Sequence, residues 1–102
     1  MNTPPEEFIL VSEQRLLSFA RSSFEKVGLQ PEHGDLIARY LVNSDLRGVR
    51  SHGTKFVNWY CESFAQGKLN PHPKIAVLSE TATIATVDGD GTLGYLPTTR
   101  AT

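Results

Sequence analysis

Between Ser12 and Gly28 the apolar residues Leu16, Leu17, Ala20, Phe24 and Val27 recur at the spacing of one helix face. Ser12 suits the N-cap, and Glu13 puts an acid in the first turn, where the helix dipole favours it. Gly28 fits a left-handed C-terminal cap. Pro31 then suits the first turn of a second helix, with Leu36, Ile37, Tyr40 and Leu41 as its buried stripe and an end near Gly48. A third helix is expected to open at Ser51 and close at Gly67. Its aromatic residues Phe56, Trp59, Tyr60 and Phe64 read mostly as core packing. The helical part thus covers 12–67, and residues 1–11 read as a flexible lead-in.

The pattern changes after "KLNPHPK", a connector punctuated by proline. "IAVLS" (75–79) and "TIATV" (83–87) read as two strands around a short turn, and "DGDGTLG" as a glycine-rich turn. "YLPTTRAT" looks like a helix start, near Pro97. The expected class is α+β: three N-terminal helices, then a β-hairpin. A lone hairpin is marginal in water and its edges invite pairing, so this one is expected to extend a larger sheet. The last helix also stops about one turn in. Residues 1–102 therefore read as the N-terminal portion of a larger protein.

Composition narrows the classes. The chain has 102 residues, enough for one small domain, and 39% apolar residues with eight glycines argue against disorder. Ten basic and eleven acidic residues leave a formal charge of −1, so a nucleic-acid partner would need a local basic patch. No apolar run reaches bilayer length, and "MNTPPEEFIL" lacks the pattern of a secretory signal. The expectation is a cytoplasmic protein with no membrane partner. Cys61 is the only cysteine, which excludes an internal disulfide or a cysteine-based zinc site. His33, His52 and His72 are not spaced as metal ligands.

The chemistry concentrates in "DLRGVRSHGTKF", residues 45–56. If Ser51 caps the third helix, His52 and Gly53 lie beside unpaired backbone N–H groups, which attract anions. Lys55 and Phe56, three and four residues on, border the same face as His52. Arg47 and Arg50 lie in the preceding turn. Such a group can be an acid–base imidazole with a carboxylate clamp. It can also be the start of a DNA-reading helix carrying Arg50, His52, Thr54 and Lys55, a solvated helix junction, or part of a non-catalytic remnant that acts as an interaction module. The aromatic face, the slightly acidic chain and the downstream hairpin count against the DNA reader.

Other patterns carry less. "DGDGTLG" places Leu93 and Thr99 where a calcium loop needs glycine and glutamate. Its G-x-G-x-x-G match leaves no room for an acidic ribose partner. Cys61 and His52, nine residues apart on one proposed helix, would be separated by about 13.5 Å of rise and cannot pair.

"SDLRGVRSHGTKFVNWY", "GKLNP" and "VDGDGTLGY" together resemble the N-terminal part of the malate/L-lactate dehydrogenase family of NAD(P)-dependent 2-oxo-acid and imino-acid reductases. That family is unrelated in fold to the Rossmann-type lactate and malate dehydrogenases. The resemblance implies that His52 is the proton donor to a 2-oxo acid and the acceptor from a 2-hydroxy acid. It also implies NAD or NADP as cofactor, held mostly by sequence beyond residue 102, and a homodimer of the complete protein. Arg47, Arg50, Ser51 and Lys55 are the expected substrate-binding residues. Many members carry an arginine four residues after the histidine; here that residue is Phe56, so the carboxylate clamp differs.

Overall fold

A computed structural model describes residues 10–101. Most of the lead-in expected at 1–11 lies outside the described residues. Helix α1 spans Glu13–Lys26 and α2 spans Pro31–Leu46. Both begin as their sequences predict. The Ser12 hydroxyl oxygen accepts the Arg15 N–H at 3.2 Å, and Pro31 occupies the first turn of α2. Gly28 turns the chain between them at φ +101°, in the left-handed region.

The two helices bury Ala20, Phe24, Ile37, Ala38 and Leu41 completely. Gly34 brings them close, because a Cβ there would sit 3.3 Å from Phe24 Cβ. Asp35 ties the outer edge through ion pairs to Arg21 at 2.5 Å and Arg39 at 2.9 Å.

Helix α3 departs from expectation. It runs only Val57–Ala65, and two short 3₁₀ turns, Arg50–His52 and Thr54–Phe56, occupy the stretch expected to be its beginning. The aromatic stripe is correspondingly split. Phe64 is buried and meets Phe24 edge-on at 6.4 Å, whereas Trp59 is 59% exposed and Phe56 and Tyr60 are half-buried. A later helix start leaves one apolar face against α1, anchored by Val57 and Phe64, and turns Trp59 outward. Tyr40, expected in the core stripe of α2, is also exposed and stacks on Tyr95.

Strands β1 (Ala76–Glu80) and β2 (Ala85–Asp88) pair antiparallel from Ala76↔Asp88 to Glu80↔Ala85, with an irregularity between Val77 and Ser79. Thr83 and Ile84 fall outside β2 because the turn claims them: the Thr81 hydroxyl oxygen accepts the Ile84 N–H at 3.0 Å. All of β1 is exposed. These helices and this hairpin form the α+β arrangement that the periodicity predicts.

The aspartates of the glycine-rich turn are occupied by the chain itself. Asp90 adopts φ +54°, and its Oδ2 accepts from the Asn70 side chain at 3.0 Å and the Lys74 N–H at 2.9 Å. Asp88 Oδ1 accepts the Asp90 N–H at 2.9 Å. Asn70 and Asp90 thereby fasten the proline connector to the end of the hairpin. Helix α4, Tyr95–Ala101, starts two residues before Pro97, whose missing N–H falls in a first turn that needs no donor. Leu96 anchors α4 in the core. No helix among the described residues is long and apolar enough to cross a membrane.

Candidate active site

Helix α2 ends where the sequence supplies Gly48, which takes φ +78° and reverses the chain. The Val49 N–H returns to the Ser44 carbonyl at 2.8 Å. Two 3₁₀ turns follow, held by the His52 N–H to Val49 O at 3.1 Å and the Phe56 N–H to Gly53 O at 3.2 Å. His52 therefore stands at the end of a 3₁₀ turn, not in the first turn of an α-helix, and its own N–H is already used. The anion-attracting helix start expected beside it does not form. Gly53 is the physical reason: its extended backbone, φ −105° and ψ −156°, interrupts the helix.

The same geometry removes the DNA-reading arrangement. Arg50, His52, Thr54 and Lys55 precede α3 and do not share a helix face.

The His52 ring is exposed, and its Nδ1 lies 2.9 Å from the Ser51 Oγ. In the protonated ring both nitrogens are donors, so Nδ1–H donates to the Ser51 hydroxyl oxygen and Nε2–H is the proton that can be given; in the neutral ring that keeps Nδ1–H on Ser51, Nε2 accepts. The serine thus meets the imidazole rather than capping a helix. Arg47, Arg50 and Lys55 are all exposed around this loop, and none forms an ion pair among the described residues. Lys55 Nζ stands 5.4 Å from the Phe56 ring centroid, a cation–π contact, and Phe56 stacks on Tyr60 at 5.7 Å. Phe56, four residues after His52, is thus committed to aromatic packing.

Asp45 is the residue that sequence reasoning passed over. Its Oδ2 accepts both the Thr54 N–H, at 3.2 Å, and the Thr54 hydroxyl. Its Oδ1 rests against Gly53 so closely that any Cβ there would overlap it. The signal was present as an aspartate followed eight and nine residues later by Gly-Thr. Gly53→Ala must displace a carboxylate that is already bonded. A loss of about 1–3 kcal/mol in a thermal melt is the expected outcome.

A separate open hollow of about 500 Å³ lies between α2, α3 and α4, lined by Tyr40, Tyr60, Leu93, Tyr95 and Thr99. None of His52, Arg47, Arg50 or Lys55 lines it. The Thr99 hydroxyl donates to the Tyr95 carbonyl at 2.7 Å, so Tyr40 is the donor to Thr99 across 3.2 Å. Burial, together with the neighbouring Tyr60, pushes the Tyr95 phenol up to about 12. A phenol held protonated in the fold stabilises it fully below about pH 10, the unfolded value, and loses that contribution as pH rises towards about 12. The melting temperature should fall across that window, and less steeply in Tyr95→Phe.

Cys61, half-buried on α3, has its thiol pushed up by burial, which disfavours the nucleophilic thiolate. The glycine-rich turn does not fit a dinucleotide. A Cβ at Gly89 would sit 3.1 Å from Pro97, so this glycine admits the chain's own proline, and Asn70 closes the turn at Gly91 O. Among the described residues no cluster of three His, Cys, Asp or Glu side chains is placed to hold a metal.

A sequence profile of the malate/L-lactate dehydrogenase family matches residues 11–102, and the chain belongs to that family. It is 40% identical over 91 residues to the malate dehydrogenase of Pyrococcus horikoshii, covering 89% of this chain and 25% of that protein. The solved structure of malate dehydrogenase from Pyrococcus horikoshii superposes with a TM-score of 0.88 at 38% identity, over 94% of this chain and 28% of the other. The sulfolactate dehydrogenase structure from Methanocaldococcus jannaschii gives 0.86 at 27% identity, covering 91% and 27% of the two chains. The chain therefore spans about a quarter of the length of these relatives.

Proposed function

We propose that this chain is the N-terminal portion of an oxidoreductase that interconverts small 2-oxo and 2-hydroxy acids, with His52 as the acid–base group. The observation that carries the reading is the exposed His52 ring, oriented by Ser51 on a tied loop amid three cations, in a member of a dehydrogenase family. In reduction, the protonated imidazole gives its Nε2 proton to the carbonyl oxygen, while a bound reduced nicotinamide would supply the hydride to the carbonyl carbon; in oxidation the neutral ring takes the hydroxyl proton and the hydride would return to the oxidised cofactor. Arg47, Arg50 and Lys55 draw in the carboxylate. With Phe56 in place of an arginine, they do so as separate charges rather than as one bidentate fork.

NAD or NADP belongs to the same proposal, held by residues other than these, since the glycine turn is closed on itself. The hairpin, exposed along β1, is read as an extension of a larger sheet. A homodimer of the complete protein and a cytoplasmic location complete the reading.

The test places residues 11–102 in the Pyrococcus horikoshii malate dehydrogenase in exchange for the matching quarter. NADH and NADPH absorbance is then followed against a panel of 2-oxo acids. Turnover of at least one acid is expected. A folded chimera that oxidises neither cofactor with any acid contradicts the proposal.

A further inference from the structure

We propose that Asp45 is the positioning residue of the loop, setting where the His52 ring stands without touching substrate; the proposal rests on reading His52 as the acid–base group. Asp45 lies in the last turn of α2, whose Ile37, Ala38 and Leu41 are fully buried, so the carboxylate projects from a fixed base. Its Oδ2 receives two donors from Thr54, and its Oδ1 packs on Gly53. The segment between Asp45 and Thr54 becomes a loop closed at its neck, with His52 two residues from Thr54 at the closure.

Among the described residues two kinds of anchor hold this loop to α2. The front anchor is backbone, the Gly48 N–H on Asp45 O and the Val49 N–H on Ser44 O. The rear anchor, nearer the imidazole, is the Asp45 side chain. The bonds from His52 N–H to Val49 O and from Gly53 N–H to Arg50 O shape the turn but stay inside it. Removing the carboxylate therefore frees the His52 end of the loop and leaves the front in place. Charge-assisted bonds are the stronger kind, and an amide can accept the same donors more weakly. Position matters here because proton transfer needs hydrogen-bond reach, and a displacement of about 1 Å can cost about 10²-fold in rate.

The test uses this chain, labelled with ¹⁵N and ¹³C, in solution NMR, reading Thr54 amide exchange and the ¹⁵N shifts and line widths of the His52 ring. The variants are Asp45→Ala, Asp45→Asn and Thr54→Ser. Asp35→Ala serves as a control, because it breaks the Arg21 and Arg39 pairs elsewhere on α2. Asp45→Ala is expected to speed Thr54 exchange about tenfold or more and to move the ring shifts towards those of a free imidazole. Asp45→Asn should fall between, and Thr54→Ser should match the parent. Asp35→Ala should lower the melting temperature with the ring signals unchanged. Ring signals unmoved in Asp45→Ala, or moved equally by Asp35→Ala, overturn the proposal. Because these readouts follow ring position and not turnover, a failure of His52 as catalyst would appear separately, in the chimera.

Discussion

Replacing His52 with alanine is expected to lower turnover in the chimera by a factor on the order of 10² or more, the usual contribution of a positioned general acid–base group. The fold should scarcely notice. The ring is exposed, and among the described residues its side chain hydrogen-bonds only to its neighbour Ser51. The melting temperature should then correspond to a change within about 0.5 kcal/mol, as for other exposed positions. Steady-state kinetics and a thermal melt on the same preparation separate the two effects. A turnover loss matched by an equivalent loss of stability would make His52 structural.

Phe24→Ala should do the reverse. Phe24 is fully buried, meets Phe64 edge-on at 6.4 Å, and lies under the close approach that Gly34 permits. Truncating such a ring removes its transfer free energy and leaves a cavity, at a cost of about 3–5 kcal/mol. In a domain this small that is a large share of the total stability, and the melting temperature should drop by roughly 12 °C or more. Phe19 on the same helix is 58% exposed, and its alanine variant should change stability by no more than about 0.5 kcal/mol. Differential scanning calorimetry of the pair checks both numbers.

The contrast shows what periodicity can and cannot reveal. Helices α1 and α2 were legible because their signals agree: a serine N-cap, a proline start, and apolar residues on one face. The hairpin was legible for the same reason, within one or two residues at its ends. The start of α3 was not. Ser51 looked like a cap because it precedes an aromatic run, but Gly53 interrupts the helix and Asp45 claims the backbone N–H and hydroxyl of Thr54. That competition is between residues nine apart, and local propensity does not register it.

The site was half legible for a related reason. Residue types and the family resemblance pointed to His52 with Arg47, Arg50, Ser51 and Lys55. The structure brings Ser51 to the imidazole and leaves the three cations exposed around the loop. It also separates this group from the tyrosine-lined hollow, whose three tyrosines come from helices that the sequence pattern could place but not orient. Tyr40 and Trp59 illustrate the difficulty. Helical spacing put both in the core, yet α3 starts too late to bury Trp59, and Tyr40 stacks on Tyr95 at the surface.

Free imidazole added to the His52→Ala chimera tests the central claim most directly. If the missing group is a proton carrier, imidazole diffusing into the vacated space should restore part of the lost turnover in a saturable way, with little effect on the unmodified chimera. Full activity of His52→Ala in the absence of imidazole would contradict the account.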